Sequence, residues 1–171
     1  MKTQQAFTLI EIVVTLAIVA ILAVVALPNM RPMLINNRIT SKTNDLISAI
    51  NYLRTEAITR PDRNLKIQPI DTDWSNGWQI VEITSSSPDE LIKIFEYHND
   101  QIAIKKKDGE CSATDLTSIC YKARGRIQTP YEFHICSNGH PTGNIVKINR
   151  IGRARTESCS IKEAPCNGTC S

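Results

Sequence analysis

Four cationic side chains lie close together near the C-terminal end of the chain. They are Lys147, Arg150, Arg153 and Arg155, and no acidic residue lies between the first and the last of them. Guanidinium groups form charge-assisted, often bidentate hydrogen bonds with phosphate oxygens, so cations spaced in this way suit a phosphate backbone. A run of cations is also common on an ordinary solvated loop. The sequence therefore indicates a phosphate-binding segment, with a solvated surface loop that binds no ligand as the alternative.

Two further basic clusters are secondary candidates for the same contact. They consist of Lys105, Lys106 and Lys107, and of Arg124 and Arg126. We interpret both as solvated surface first and as phosphate-binding residues second. Asp108 and Glu110 partly neutralise the lysines, whereas Tyr121 and Tyr131 flank the arginines and are candidates for stacking on bases.

A strand and a turn are needed to present the four cations from Lys147 to Arg155, which we call the primary cations. Residues 143–149 alternate as a strand does, which directs Lys147 to water. We expect residues 150–155 to leave the sheet as a loop, in which the single glycine permits a turn that other residues resist. Two positions apart in an extended loop, Arg153 and Arg155 would point the same way.

The chain as a whole predicts an α+β fold in which one long helix packs on antiparallel β-sheets. Apolar residues recur at helical spacing over residues 39–57, with Lys42 and Arg54 among the polar residues between them, so we expect one helix from residue 7 to about 60. Beyond it, short alternating and β-branched runs predict strands, with a turn at Asn76-Gly77. The predicted strands are residues 65–70, 78–83, 91–97, 101–104, 131–136 and 143–149.

The N-terminal half of the predicted helix is an apolar run. From Ile12 to Leu27 there is no charge, and Glu11 is the only ionisable side chain between Phe7 and Leu27. A helix needs about 20 apolar residues to span a bilayer core, so the run is long enough for a membrane anchor. A carboxylate inside such a segment is costly and marks a functional site.

Six cysteines all lie in the second half of the chain: Cys111, Cys120, Cys136, Cys159, Cys166 and Cys170. An even number behind a membrane-targeting segment indicates an oxidising compartment and up to three disulfides. We favour a bond between Cys111 and Cys120, leave the other four unassigned, and expect a disulfide-tied C-terminal tail. A zinc site using the last two cysteines and the three histidines is the alternative, but no second tightly spaced ligand pair supports it, so we expect no metal.

Overall charge and sequence motifs exclude little about partners and give no sign of an enzyme. With 20 basic and 17 acidic residues, the overall charge does not by itself indicate a nucleic-acid partner. The sequence has no Gly-rich phosphate loop leading from a strand into a helix and no recognisable nucleophile elbow. We expect no catalytic residue and no cofactor.

The N-terminal run, which opens Phe-Thr-Leu-Ile-Glu from Phe7 to Glu11 and continues to Pro28, resembles the signal of type IV pilins and pseudopilins. The resemblance implies that prepilin peptidase removes residues 1–6 by cutting between Ala6 and Phe7 and then methylates the new amino terminus. Families of this kind usually have Gly before the cut, so Ala6 is a departure.

The same resemblance implies three segments and two locations. Residues 1–6 would be a leader, residues 7–33 an apolar transmembrane and fibre-assembly helix, and residues 34–171 a soluble pilin domain. Glu11 would pair with the amino terminus of a neighbouring pilin. The chain would sit in the bacterial inner membrane as a single-pass protein with a periplasmic domain, and then in the extracellular pilus.

A second resemblance concerns the domain itself. Residues 73–78 read Asp-Trp-Ser-Asn-Gly-Trp and resemble the W-x₂-G-W signature of minor pilins of the FimT and GspH kind, and Gly152 to Arg155 read Gly-Arg-Ala-Arg, like their C-terminal Gly-Arg-x-Arg motif. Minor pilins similar to FimT are associated with DNA uptake in natural transformation. The resemblance implies that Arg153 and Arg155 contact double-stranded DNA without sequence specificity, with Lys147 and Arg150 extending the patch.

Two other functions remain open. A structural pseudopilin of a type II secretion system, similar to GspH, would act in tip assembly and bind only protein. An adhesin would need a ligand site in the cysteine-rich tail. The pilin motif is compatible with all three functions. The arginine-rich segment favours DNA binding over the pseudopilin and adhesin functions.

Overall fold

The computed structural model describes residues 7–84, 88–97, 102–108, 118–137 and 139–160. The chain divides into two compact units, Met1–Ile35 and Asn36–Ser171. The expected leader with Ala6, the cysteines Cys111, Cys166 and Cys170, and the expected disulfide-tied tail from residue 161 onward lie outside the described residues.

The long helix α1 (Leu9–Thr59) confirms the predicted helix. It ends before Pro61, which disfavours helical geometry in the residue that precedes it. Its start is capped by Thr8, whose hydroxyl oxygen accepts a hydrogen bond from the Glu11 amide at 3.3 Å.

In the first unit, the described side chains of α1 are largely exposed. Leu9 is 81 % and Val24 74 % exposed, and Glu11 is exposed as well. A shallow cavity beside Glu11 is lined by Phe7, Ile12 and Thr15. Within the described part of the chain, no helix combines the length and apolarity that crossing a membrane requires.

In the second unit, α1 buries one apolar stripe. The buried side chains are those predicted from the helical spacing, namely Ile39, Leu46, Ile50, Leu53 and Ala57. Each large aliphatic side chain buried in this way stabilises the fold by about 1.5–3 kcal/mol. The polar residues between them do not all face water, since Lys42 is buried and Arg54 is half-buried. The Lys42 ammonium lies 4.2 Å from the centre of the Tyr97 ring.

In the described residues after the helix, eight strands form two antiparallel sheets. They are β1 (Leu65–Ile70), β2 (Asp73–Glu82), β3 (Glu90–Glu96), β4 (Ile102–Asp108), β5 (Ile119–Tyr121), β6 (Tyr131–Ser137), β7 (Thr142–Ile148) and β8 (Ala154–Ser160). One sheet has the order β3-β2-β1-β5 and the other β4-β6-β7-β8. The structure therefore confirms the predicted fold class, a long helix with antiparallel sheets.

The core of the second unit lies among α1 and the two sheets. The Trp74 ring packs edge-on against Phe133 of the other sheet, with centroids 4.8 Å apart. The Asn144 side-chain amide donates to the Thr43 hydroxyl of α1 at 3.0 Å, so the face of β7 that carries Asn144 is directed to the helix. Trp74 and Trp78 are both buried, which confirms that they are core residues.

Two features of the sheets differ from the prediction. Asn76 and Gly77 lie within β2, and the turn is instead Asp71-Thr72, where both residues have positive φ, as a two-residue hairpin turn requires. Gly77 is needed for another reason, because a Cβ there would lie 2.0 Å from the Phe95 carbonyl oxygen. Strands β5 and β8 were not predicted, since one has only three residues and the other is rich in polar residues.

Candidate functional site

The primary cations lie on the hairpin formed by β7 and β8. The Gly152 amide donates to the Asn149 carbonyl at 2.8 Å, and the Asn149 amide donates to the Arg153 carbonyl at 3.2 Å. The Asn149 side-chain oxygen also accepts from the Arg153 amide at 3.0 Å. These bonds close a short loop of Arg150, Ile151 and Gly152 in which Gly152 has a φ of +74°. This is the arrangement of a three-residue hairpin loop with Gly in the left-handed position.

The expectation of a loop over residues 150–155 is wrong for its last two residues. Arg155 lies in β8 and is the register partner of Lys147 in β7. The cause is the antiparallel ladder, which resumes directly after the turn and continues to Ser160. Since side chains alternate along a strand, Arg155 is still directed to the same side as Lys147.

Three of the four primary cations share one groove. A cavity of about 690 Å³ is lined by Lys147, Arg153 and Arg155 together with residues of β6 and of the β7–β8 hairpin. Arg150 does not line it, although it is exposed at the tip of the hairpin. The cations grouped in the sequence are thus grouped in space, with Arg150 at the margin.

Acidic side chains that lie outside the cationic run in sequence are inside this cluster in space. Glu157 accepts a hydrogen bond from the Lys147 ammonium at 2.7 Å and lies 3.1 Å from the Arg155 guanidinium. The hydrogen bond from Lys147 lowers the pKa of Glu157, so this carboxylate stays ionised. Glu132, the register partner of Lys147 in β6, also lines the groove, and its carboxylate lies 2.6 Å from His134 Nε2.

Arg150 and Arg153 have no such acidic partner among the described residues. Both are exposed, and no described residue forms an ion pair with either guanidinium. They are therefore the two primary cations whose full charge is directed to solvent.

The secondary cluster of Arg124 and Arg126 packs directly beside the hairpin loop. The Ile127 amide donates to the Arg150 carbonyl at 3.2 Å, and the buried Tyr121 hydroxyl donates to the Gly152 carbonyl at 3.0 Å. A Cβ on Gly152 would lie only 2.2 Å from the Gly125 carbonyl oxygen. We call this contact of Gly152 with Gly125 the glycine crossing.

The turn that carries the second pair of arginines is unusual in its backbone. Arg124 has a φ of +68° within the 3-10 turn Ala123–Gly125, and Lys122 and Arg126 form an isolated antiparallel bridge around it. A non-glycine residue in the left-handed region costs about 1–3 kcal/mol and persists only where its surroundings enforce it. Arg124 and Arg126 are both exposed, so the structure places two cations next to Arg150 and Arg153.

The lysine cluster lies on a different strand from the primary cations. Lys105 and Lys106 are on β4, which β6 separates from β7. Lys105 is exposed, and the Lys106 ammonium lies 5.2 Å from the centre of the Tyr131 ring. The side chain of Lys107 is outside the described residues. Lys105 and Lys106 make no described contact with Gly125 or Gly152.

The suggestion that Tyr121 and Tyr131 stack on bases is wrong for this structure. Both rings are buried, with 3 % and 2 % of their surface exposed. Burial also raises the pKa of Tyr121. With so little surface exposed, neither ring can stack on a base in this structure.

The described cysteines and histidines form disulfide bonds or side-chain contacts within the fold. Cys120, Cys136 and Cys159 each belong to a disulfide bond. His140 Nε2 lies 2.8 Å from the Asn36 side-chain oxygen, and His134 is buried beside Glu132. Among the described residues, no group of three or more His, Cys, Asp or Glu is arranged to hold a metal ion. The favoured pairing of Cys111 with Cys120 stays a prediction.

The sequence missed one cation at the glycine crossing. Arg54 of α1 touches Gly125, since a Cβ on that glycine would lie 3.0 Å from Arg54 Cγ. The available signal was its spacing: Arg54 follows Ile50 by four residues and precedes Ala57 by three, which places it on the buried stripe.

Two family models match this chain. Residues 1–27 match the prokaryotic N-terminal methylation motif. Residues 42–152 match the type II transport protein GspH, so the match stops at Gly152, one residue before Arg153. No curated protein sequence matches the chain significantly.

Solved structures of minor pilins and pseudopilins resemble the fold. The type IV minor pilin FimU of Pseudomonas aeruginosa, in its P21 crystal form, is 25 % identical with a TM-score of 0.60, and the match covers 77 % of this chain and 96 % of FimU. The minor pseudopilin EpsH of the Vibrio cholerae type II secretion system is 14 % identical with a TM-score of 0.50, covering 72 % of this chain and 94 % of EpsH. The second likeness concerns the fold alone.

Proposed function

This chain belongs to the family of the type II transport protein GspH and is a minor pilin or pseudopilin, and we propose that it binds double-stranded DNA through the cations around the glycine crossing. Binding would be independent of sequence and would serve DNA uptake in natural transformation. The protein would sit in a type IV pilus beside other pilins.

One observation carries the proposal. The packing of Gly152 on Gly125 joins two arginine pairs, Arg124 with Arg126 and Arg150 with Arg153, that are separated in sequence. Four exposed guanidinium groups on two adjacent turns suit the spaced phosphates of a duplex. Arginine contacts to the phosphate backbone carry no sequence information.

The ion pairs assign unequal roles to the primary cations. Arg150 and Arg153 would make the main phosphate contacts, while Arg155 and Lys147 would have to exchange Glu157 for a phosphate oxygen. Arg155 remains a contact in this proposal because its side chain is 69 % exposed and lines the same groove as Arg153.

The N-terminal unit would supply the anchor and the fibre contact. We place the cut between Ala6 and Phe7, followed by methylation of Phe7, as the match to the methylation motif supports. Residues 7–33 would hold the chain in the inner membrane with residues 34–171 in the periplasm before assembly into the extracellular pilus. Glu11 is exposed on α1 and would pair with the amino terminus of a neighbouring pilin.

The test is DNA binding by the full chain in detergent. Two short duplexes of unrelated sequence are titrated at several salt concentrations with the wild-type chain and with Arg150→Glu/Arg153→Glu. We expect equal affinity for both duplexes, a log–log salt slope of roughly −2 to −4 at about −0.9 for each phosphate neutralised, and loss of binding in the variant. Arg38→Glu is the control, because Arg38 is an exposed arginine of α1 outside the crossing.

A second function has one observation in its favour, the GspH match itself. A pseudopilin of a type II secretion system would use the same fold in tip assembly and bind only protein. Absence of DNA binding by the folded wild-type chain at low salt would select this function.

A further inference from the structure

Three separate parts of the chain meet at Gly125. On one side, Gly152 of the hairpin loop lies against the Gly125 carbonyl. On the other side lies α1, since a Cβ on Gly125 would be 2.9 Å from Ile58 Cγ1 and 3.0 Å from Arg54 Cγ. The backbone of Gly125 is thus enclosed between the hairpin and the aliphatic part of the Arg54 side chain, and no larger residue fits there.

Within the described part of the chain, the polar end of Arg54 has no acceptor. Its Nε is buried and has no hydrogen-bond partner, and no described residue forms an ion pair or hydrogen bond with its side chain. An exposed arginine without a partner is solvated by water, but a buried Nε–H is not. Leaving it unpaired costs free energy that a suitable acceptor would recover.

The positive charge of Arg54 acts on the Tyr121 hydroxyl, which contacts the hairpin loop. Although burial is the larger effect and raises the pKa of Tyr121, the positive charge of Arg54 acts in the opposite direction on the same hydroxyl. That hydroxyl donates to the Gly152 carbonyl at 3.0 Å. Arg54 therefore lies close to Gly125 and to the Tyr121 hydroxyl, the two groups that contact Gly152 of this loop.

The charged residues next to Gly125 and Gly152 in the chain are cations, which suits the binding of an anion from outside the protein. Arg124 and Arg126 flank Gly125 in sequence, and Arg150 precedes Gly152 by two residues. Glu56 lies two residues from Arg54 on α1, a spacing at which side chains do not face each other. Its Oε2 is buried without a hydrogen-bond partner among the described residues and lies 3.6 Å from the Arg60 Nε.

We propose that Arg54 is a further phosphate-binding residue, contributed by α1 to the interface that the two arginine turns form. A phosphate oxygen held by Arg153 or Arg124 accepts a hydrogen bond from the Arg54 guanidinium. This proposal rests on the proposed function and adds a third element to the interface.

The test compares two arginines of one helix in the full chain in detergent. Arg54→Gln keeps the aliphatic part that packs on Gly125 and removes the charge. Arg38→Gln is the matched control, because Arg38 is exposed on α1 sixteen residues earlier, about 24 Å along the helix axis. Both are titrated with the two unrelated duplexes over a range of salt concentrations.

We expect Arg54→Gln to weaken binding several-fold to both duplexes and to make the salt slope shallower by about 0.9, the effect of one phosphate contact. Arg38→Gln leaves both quantities unchanged. The salt slope separates contact from packing, since a purely structural role changes stability without changing the number of phosphates neutralised. Should Arg54→Gln fail to fold, Arg54→Lys keeps the charge without the planar fork and is expected to bind with reduced affinity.

Two results overturn the proposal in different ways. If the wild-type chain binds DNA, Arg150→Glu/Arg153→Glu abolishes binding, and Arg54→Gln keeps the wild-type affinity and slope, Arg54 is structural and the proposed function stands. If the wild-type chain binds neither duplex at low salt, both proposals fail together.

Discussion

The Lys147 ammonium donates a hydrogen bond to the Glu157 carboxylate at 2.7 Å across the β7–β8 ladder. Along the chain these residues are separated by a segment that contains cations and no acid. In space, Glu157 also lies 3.1 Å from Arg155, so one acid restrains two of the cations that were expected to bind phosphate. The local charge available to a polyanion is smaller than the sequence indicates.

Removal of the Glu157 charge should therefore strengthen DNA binding. In Glu157→Gln, Lys147 and Arg155 no longer have a carboxylate partner, and we expect tighter binding with a salt slope steeper by about 0.9 for each cation that gains a phosphate. The salt titration described for the wild-type chain measures both. Glu90→Gln on β3 removes the same charge from the other sheet and should have a much smaller effect; equal gains in the two variants would mean that only net charge matters.

Arg124 and Arg126 should each add to the DNA affinity, because they lie beside the hairpin loop. Arg124→Gln/Arg126→Gln is expected to make the salt slope shallower by up to about 1.8 if each residue neutralises one phosphate. The control Arg38→Gln/Lys93→Gln removes two exposed charges, one on α1 and one on β3 of the other sheet, and should leave the slope as it is. The prediction is wrong if the two double variants behave alike.

The glycine crossing should be sensitive to a single methyl group. Gly152→Ala adds a Cβ that would lie 2.2 Å from the Gly125 carbonyl oxygen at a residue with positive φ. Gly139 has nearly the same φ, +75°, but a Cβ there meets nothing within 4 Å, so Gly139→Ala isolates the backbone cost. We expect Gly139→Ala to lose about 1–2 kcal/mol and Gly152→Ala about 1–3 kcal/mol more.

Denaturant unfolding of the two alanine variants gives the difference in free energy, and DNA titration shows whether the arginines still act together. Gly152→Ala should bind more weakly even though it keeps every cation. Equal stability of the two variants would show that the hairpin loop does not need its contact with Gly125.

Stability should fall in acid because three carboxyl groups are ion-paired or hydrogen-bonded in the folded state. The pKa of Glu82 is lowered by its hydrogen bond from Arg63, that of Glu157 by Lys147, and that of Asp73 by the Ser75 amide. A folded-state pKa below the unfolded one stabilises the fold above the unfolded value and loses that contribution as the pH falls through the folded value.

The expected result is a constant free energy of unfolding above the ordinary glutamate pKa of 4.5 and a decline below it. Denaturant midpoints measured over a pH series test this expectation. Glu82→Gln/Glu157→Gln should be less stable than the wild type near neutral pH and should decline less steeply in acid; a decline as steep as that of the wild type would show that other groups are responsible.

Local patterns in the sequence were sufficient for the helix, for most strands and for the burial of both Trp residues. Helical spacing from Ile39 to Ala57 and two-residue alternation around Val146 each reflect which side of one element faces the core, and this is a property of consecutive residues. The N-terminal signal around Phe7 and Glu11 is also contiguous, so it could be recognised without any fold.

The composition of the site was decided by the tertiary structure. The strand that carries Arg155 is recognisable only through its pairing with β7, because its own residues are mostly polar. The contacts of Gly152 with Gly125, of Arg54 with Gly125 and of Glu157 with Lys147 depend on how the chain folds back on itself. A run of like charges in sequence specifies which side chains are available, whereas the path of the backbone determines which acids and which other cations surround them.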